Sequence, residues 1–246
     1  MQIIDKTMKK IKMNSLRPAM LTLAFLMIAS LTFAQTREKR DVSNFHALSV
    51  SDAFVVEISV GNTESLEIEI EDEFKDDLVT EVRGGMLIIG LDDDDWSRKK
   101  RRMKNSAKAY LTVKSLDKIR ISGAVSLRTL DILKSDRMSI ELSGASVVNI
   151  ELETDQLDLQ ASGASVINME GSAKDQTVKM SGSCIYRAYD LESETALIRV
   201  SGASNARVYA SEDLDVRASG ASSIYYKGGA SVKSDTSGAS SIKKGK

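Results

Sequence analysis

The chain has 246 residues, a length typical of one large domain or two small ones. Its 34 basic and 35 acidic residues nearly cancel, which argues against a nucleic-acid binder, because such proteins usually carry a basic excess. Aromatic residues make up only 5% of the chain and there is one proline, so the composition favours a regular, repetitive fold.

The N-terminal segment has the pattern of a secretory signal peptide. A basic leader precedes the apolar run AMLTLAFLMIAS at residues 19–30. Thr32 and Ala34 supply the small residues expected at the −3 and −1 positions of a cleavage site before Gln35. The apolar run is short for a membrane span, which needs about 20 residues. We therefore predict a signal peptide over residues 1–34, with a membrane anchor as the alternative, and no transmembrane segment in the mature chain.

The next part of the chain predicts the start of an all-β domain. After a short lead-in at 35–44, FHALSVSDAFVVEISV (45–60) superposes on LDKIRISGAVSLRTL (116–130), so that Val56 and Ile58 match Leu127 and Thr129. A first coil therefore begins near Phe45. His46, the single histidine, lies at an alternating position of this coil, where we expect a structural or surface role.

Further elements follow before the chain becomes regular. Alternating apolar residues predict strands at about 65–70, 79–83, 86–91 and 107–114. The segment EDEFKDDLV (71–79) predicts a helical turn that caps one end. The segment DDDDWSRKKRRMKNS (92–106) predicts a solvated loop, although its basic run is alternatively a patch for polyanions.

A tetrapeptide close to Ser-Gly-Ala-Ser recurs seven times in the second half of the chain, in steps of 18 to 21 residues. A period near 20 residues is typical of a solenoid. The flanking apolar residues alternate with period two, as in Ile119/Ile121 and Ile167/Met169, which predicts strands rather than helices. Leucine-rich repeats share the length but require a helical arc and an Asn/Leu consensus that is missing here. We predict a parallel β-helix over 45–242, regular from 116 onward, with a tail at 243–246.

Each copy of the tetrapeptide marks a corner of one coil. We expect its glycine to have positive φ or to approach another backbone closely. The seven structural glycines are Gly123, Gly144, Gly163, Gly182, Gly202, Gly220 and Gly238. The fourth position is Ser in most copies but Val125 and Cys184 in two, which indicates an internal, buried column of hydroxyls. Cys184 is the single cysteine, so no intramolecular disulfide can form.

In this order the stretches resemble the head GIN domain family, often labelled autotransporter adhesins. The resemblance rests on DVSNFHALSVSDAFVVEISVG, SLEIEIEDEFKDDLVTEVRGGMLIIGLD and AKAYLTVKSLDKIRISGAVSL, followed by the Ser-Gly-Ala-Ser coils. It covers residues 41–240 and implies a right-handed parallel β-helix exported by Gram-negative bacteria. No translocator barrel or sorting domain follows the repeats, so we expect a periplasmic or cell-surface protein. The oligomeric state stays open.

Few residues suggest chemistry. Asn149, Glu151, Asn168 and Glu170 fall on one outward patch of two consecutive coils and form a weak Ca²⁺ candidate, since a hard cation could bridge the carboxylates. Two solvated glutamates are the simpler interpretation. No His/Cys metal motif is present, and no cofactor is expected. A carbohydrate-active enzyme of the lyase or hydrolase type would also need a basic residue near these acids, for which Arg128 is the obvious candidate.

The sequence therefore favours a non-catalytic, adhesin-like interaction module over the alternative of a carbohydrate-active β-helix enzyme. Its candidate partner is an acidic glycan or an envelope protein, because the outward positions after the later corners turn basic and aromatic. We name this set the Arg–Tyr face. It comprises Arg187, Tyr189, Arg207, Tyr209, Tyr225 and Lys227.

Overall fold

The computed structural model describes residues 37–92 and 106–245, and in these ranges the regular secondary structure is almost entirely β-strand. A 3-10 helix at Asp72–Asp77 lies inside the predicted helical turn. The predicted signal peptide and the central part of the predicted loop lie outside the described residues. The strands are β1 Arg37–Arg40, β2 Ala47–Val50, β3 Phe54–Val60, β4 Ser65–Glu69, β5 Leu78–Arg83, β6 Met86–Leu91, β7 Ala107–Val113, β8 Lys118–Ile121, β9 Ser126–Thr129, β10 Leu133–Leu142, β11 Val147–Ala161, β12 Val166–Met180, β13 Ile185–Glu192, β14 Thr195–Val200, β15 Asn205–Tyr209, β16 Asp213–Ala218, β17 Ser223–Lys227, β18 Ser231–Thr236 and β19 Ser241–Lys244.

The strands stack as coils of a parallel β-helix, which confirms the predicted fold class. Strands before the corner pair in parallel in the series β8, β10, β11, β12, β14, β16 and β18, and strands after it in the series β9, β11, β12, β13, β15, β17 and β19. Period-two alternation turns every second side chain inward. The third residue before each of the first six corners therefore forms a fully buried aliphatic column, which is Ile119, Ile140, Leu159, Val178, Ile198 and Val216.

The first coil has the predicted register. β3 pairs with β9 so that Val56 lies beside Leu127 and Ile58 beside Thr129. Asp52 takes the place of the corner glycine and has φ of 66°, a conformation that Asp tolerates better than most residues. Its backbone oxygen accepts a hydrogen bond from the amide of Ala124 in the next corner.

The order of stacking at the N-terminal end departs from the order of the chain. β2 lies between β6 and β8, and β3 lies between β7 and β9. The coil formed by β2 and β3 is therefore the first in sequence but the second in the stack. Beyond them, β5 pairs antiparallel with β6, β4 with β7, and β1 with β4. These antiparallel strands cover the edges that β6 and β7 would otherwise expose.

The corner glycines are required by two separate constraints. All seven have φ between 71° and 96°. In addition, a Cβ built on Gly163 would lie 2.4 Å from the carbonyl oxygen of Gly144, one coil earlier, and the later corners repeat this contact. The close approach exists because the amide after each glycine donates to the preceding corner, as Ala164 does to Gly144 at 2.8 Å.

The fourth position of each corner is internal. Its residues are no more than 2% exposed from Val125 to Ser222. The serine hydroxyls mainly donate to the preceding glycine carbonyl, as Ser204 does to Gly182 at 3.2 Å, rather than to the serine of the next coil. Among the described residues, Ser165 Oγ is buried without a partner. The Cys184 thiol is buried and contacts the carbonyl oxygen of Ser181 at 3.4 Å.

Strands also occupy the segments that flank the predicted β-helix bounds of 45–242. β1 lies within the predicted lead-in 35–44 and pairs antiparallel with β4. β19 runs into the predicted tail 243–246, since Lys243 and Lys244 continue the ladder to β17. His46 is exposed, and its Nδ1 lies 2.9 Å from a carboxylate oxygen of Asp117. Within the described ranges, no helix combines the length and apolar character needed to cross a membrane.

Candidate binding site

An open groove of about 890 Å³ runs along the stack beside the corners, from Ser49 to Ser237. We call it the axial groove. One side is formed by the outward residue two positions before each corner serine, and the other by the corner serines themselves. Since every coil contributes the same two positions, the groove presents one repeated unit per coil, spaced by about 4.8 Å.

The central coils give the axial groove a row of cations. Lys179 pairs with Arg199, and Arg199 with Arg217, as direct neighbours in parallel ladders. We call these three residues the basic row. Arg199 and Arg217 are exposed and Lys179 is half-buried. Like charges directly opposite each other on neighbouring strands are destabilising, so the row carries an energetic cost for the fold.

The basic row differs from several other cross-strand charges of this domain, which are compensated by a charge of opposite sign on the neighbouring strand. Arg128 is paired with Glu57 at 2.5 Å and Lys134 with Glu153 at 2.6 Å. By contrast, no residue in the described parts of the chain forms an ion pair with a cation of the basic row. These cations remain available to an external anion.

At both ends of the axial groove an acidic side chain lies beside the cations. Near one end, Glu141 accepts hydrogen bonds from Arg120 and Lys118, each at 2.7 Å. These bonds, with that of Arg120 the stronger, hold the pKa of Glu141 below its ordinary value. At the other end Asp235 lies beside Arg217 in the ladder. The groove therefore attracts anions mainly at its centre.

The structure brings the residues of the Arg–Tyr face together on the strands after the corners. Arg187 pairs with Arg207, and Arg207 with Tyr225. Both arginines are exposed, whereas the tyrosines and Lys227 are half-buried. The Lys227 ammonium lies 4.6 Å from the ring centre of Tyr189. Burial, aided by nearby Tyr225 and opposed by Arg207, raises the pKa of Tyr189.

Tyr189 is not the ladder partner of Glu170, although each lies eight residues after the serine of its own corner. Asn168 lies beside Arg187 as expected, but Glu170 lies beside Asp190 because the register shifts between these pairs. A β-bulge of this kind inserts one extra residue on one strand.

The Ca²⁺ candidate has the predicted register but satisfies its amides internally. Asn149 pairs with Asn168, and Glu151 with Glu170. However, Asn168 donates from Nδ2 to Asn149 Oδ1 at 2.7 Å, and Arg187 donates to Asn168 Oδ1 at 3.1 Å. Both amide oxygens are thus occupied by protein donors, and this patch supports no cation proposal.

Arg128 does not face the glutamates beside which sequence reasoning placed it. Its guanidinium donates to Glu57 on β3, toward the N-terminal end of the stack. The acids that line the axial groove are Glu141 and Asp235. A general acid that works near neutral pH needs a raised pKa, whereas the pKa of Glu141 is lowered, so Glu141 does not fit that catalytic role.

Sequence reasoning missed the basic row, although a signal for it exists. The apolar pairs before each corner, such as Ile198 and Val200, were recognised as inward-facing. The residue enclosed by each pair must then face outward, and in three consecutive coils it is basic: Lys179, Arg199 and Arg217. That no described residue forms an ion pair with this row follows from the strand register, which the sequence does not show.

The chain is similar to known proteins both in sequence and in fold. A family model described as "Putative auto-transporter adhesin, head GIN domain" matches residues 44–230. A comparison with curated proteins gave no match.

Solved structures share the fold. A "putative adhesin" from Bacteroides fragilis is 21% identical with a TM-score of 0.76, covering 85% of this chain and 96% of its own. A "putative lipid binding protein" from Parabacteroides distasonis is 21% identical with a TM-score of 0.68, covering 86% and 96%. A "putative adhesin" from Parabacteroides merdae is 18% identical with a TM-score of 0.65, covering 86% and 96%.

Proposed function

We propose that this chain, which belongs to the head GIN domain family, is a non-catalytic exported interaction module that binds an acidic surface polymer in the axial groove. The observation that carries the proposal is the basic row of Lys179, Arg199 and Arg217, three neighbouring cations without an ion-pair partner in the described residues. Mutual repulsion costs the fold stability and serves no contact within it. A polyanion lying over the row would remove that repulsion.

Export to the periplasm or the cell surface belongs to the same proposal. It is supported by the predicted signal peptide at residues 1–34 and by the adhesin description of the family. An acidic envelope or surface polymer would be accessible there, and nucleic acid is not the expected partner.

The Arg–Tyr face is a second candidate contact for an acidic glycan or an acidic envelope protein. Two of its three cations are already engaged, since Arg187 donates to Asn168 and Lys227 lies over the ring of Tyr189. An added anion would therefore gain less from this face than from the basic row. We expect it to contribute weak, salt-sensitive contacts.

Two neutral double variants test the assignment. Polygalacturonate serves as the acidic probe and dextran as the neutral one, both titrated against the wild-type protein and each variant. Arg199→Gln with Arg217→Gln should weaken binding of polygalacturonate between about twofold and 30-fold, because two exposed charge contacts are lost. The matched control, Arg187→Gln with Arg207→Gln, removes the same charge from the Arg–Tyr face and should change affinity less than about twofold.

The outcomes separate the surfaces. A loss confined to the control variant would move the site to the Arg–Tyr face, and equal binding of dextran would contradict an acidic ligand. The alternative function, a polysaccharide lyase or hydrolase, is tested in the same samples by measuring new reducing ends. Release of reducing ends by the wild-type protein would contradict the non-catalytic assignment.

A further inference from the structure

The repeat of the axial groove specifies its ligand more closely than charge alone. Lys179, Arg199 and Arg217 occupy the same position of successive coils, and the ladders that join them run without a register shift. Gln160 continues the row by one coil toward the N-terminal end. The side chains are therefore anchored in a line along the stack, with about 4.8 Å between neighbouring backbones.

A second row runs beside the first. The corner serines Ser181, Ser201 and Ser219 follow two residues after the three cations and line the same groove. Ser181 is exposed, and the other two are half-buried. Each of the three coils thus offers one cation and one hydroxyl to a ligand.

The repeat distance discriminates among linear polyanions. Side chains on one face of an extended acidic peptide recur about every 6.6–6.8 Å, two residues apart, which drifts out of step with the coils. A duplex nucleic acid places one phosphate per strand about every 3.4 Å along its axis, which is too dense. A polymer of uronic acids carries one carboxylate and free hydroxyls on each sugar, and a sugar residue is about as long as one coil is high. Successive sugars of such a chain are rotated about its axis, so that the long side chains of Lys179, Arg199 and Arg217 would reach carboxylates on both edges of the chain.

We propose that the axial groove binds a linear polyuronate lying parallel to the axis of the β-helix, with one sugar per coil and successive carboxylates on Lys179, Arg199 and Arg217. This inference rests on the proposed function, because it names the polymer for the same site. The serine row would contact sugar hydroxyls and so add discrimination against polymers that carry charge alone.

The test is a length series of oligogalacturonates titrated by calorimetry against the full protein. Affinity should rise by about two- to fivefold for each added sugar until roughly three carboxylates are engaged, and only weakly beyond that length. Arg199→Gln should interrupt the rise at its centre, whereas Lys134→Gln, whose cation pairs with Glu153 outside the axial groove, should leave the length profile unchanged. Polyglutamate and polyphosphate of matched charge should bind more weakly than the uronate.

Each outcome decides one proposal. If the acidic polymers bind but polyglutamate or polyphosphate equals the uronate, or affinity does not depend on uronate length, the polyuronate inference is wrong and the proposed function stands. If no acidic polymer binds, both are wrong. Methyl-esterified oligogalacturonate, which keeps the sugar and loses the charge, should not bind, and full retention of its affinity would contradict the role of the basic row.

Discussion

Replacing Arg199 with glutamate should stabilise the fold and at the same time weaken binding of an acidic polymer. Arg199 lies between Lys179 and Arg217 in the ladder, so the change converts two repulsive contacts into two attractive ones. Each exposed cross-strand attraction is worth about 0.2–1 kcal/mol, so the two new attractions alone give about 0.4–2 kcal/mol, and the loss of the two repulsions adds to this. For a domain of this size, about 2–4 °C of Tm per kcal/mol implies a rise of about 1–8 °C.

The matched control is Arg217→Glu. Arg217 lies between Arg199 on one side and Asp235 on the other, so the same substitution creates one attraction and one repulsion. Its Tm should therefore change little, although it should weaken polymer binding as Arg199→Glu does. Thermal melting followed by circular dichroism at low salt measures the difference.

High salt provides a second control. The Debye length falls from about 30 Å at 0.01 M salt to about 3 Å at 1 M, so the Tm advantage of Arg199→Glu should largely disappear at 1 M. A lower Tm for Arg199→Glu than for the wild type at low salt would refute the account of the basic row as an uncompensated cluster. Equal Tm changes in both variants would refute the register argument.

Further predictions concern the scaffold. Gly163→Ala should destabilise the fold by about 3 kcal/mol or more, because the residue has φ of 88° and its Cβ would meet a backbone oxygen at 2.4 Å. The control Gly229→Ala, whose Cβ would meet one backbone atom at 3.5 Å, should be tolerated, and equal urea midpoints for the two variants would contradict the role of the corner glycine. Cys184→Ser should melt within about 1 °C of the wild type, because a serine there can donate to the Ser181 carbonyl as neighbouring coils do; rapid labelling of the native thiol would contradict its burial. The lowered pKa of Glu141 contributes stability at neutral pH, and this stability is lost as the pH falls below the ordinary value of 4.5. Glu141→Gln should therefore be less stable than the wild type at pH 7 and closer to it in acid, and a difference in stability that does not depend on pH would exclude this ionic contribution.

Local patterns were sufficient to predict the coils. The period of the tetrapeptide and the alternation around it specify strand, corner and strand, and the superposition of Val56 on Leu127 gave a register that the structure has. This works because each coil repeats the same local interactions, so one corner glycine such as Gly163 reports on all of them.

Features that depend on distant pairing could not be predicted in the same way. Nothing in β6 and β7 marks them as neighbours of the first coil on its far side, because that position depends on pairing with strands distant in sequence and with β4 and β5, which pair antiparallel with β7 and β6. The bulge beside Tyr189 depends on a single extra residue opposite Asn168 and Glu170. The isolation of Arg199 from acidic neighbours likewise follows from register rather than from its own sequence context.

A crystal structure of the protein with an oligogalacturonate tests the central claim most directly. The account predicts a sugar chain in the axial groove, parallel to the stack, with carboxylates over Lys179, Arg199 and Arg217. An ordered sugar on the Arg–Tyr face, or none at a concentration well above the measured Kd, would contradict it.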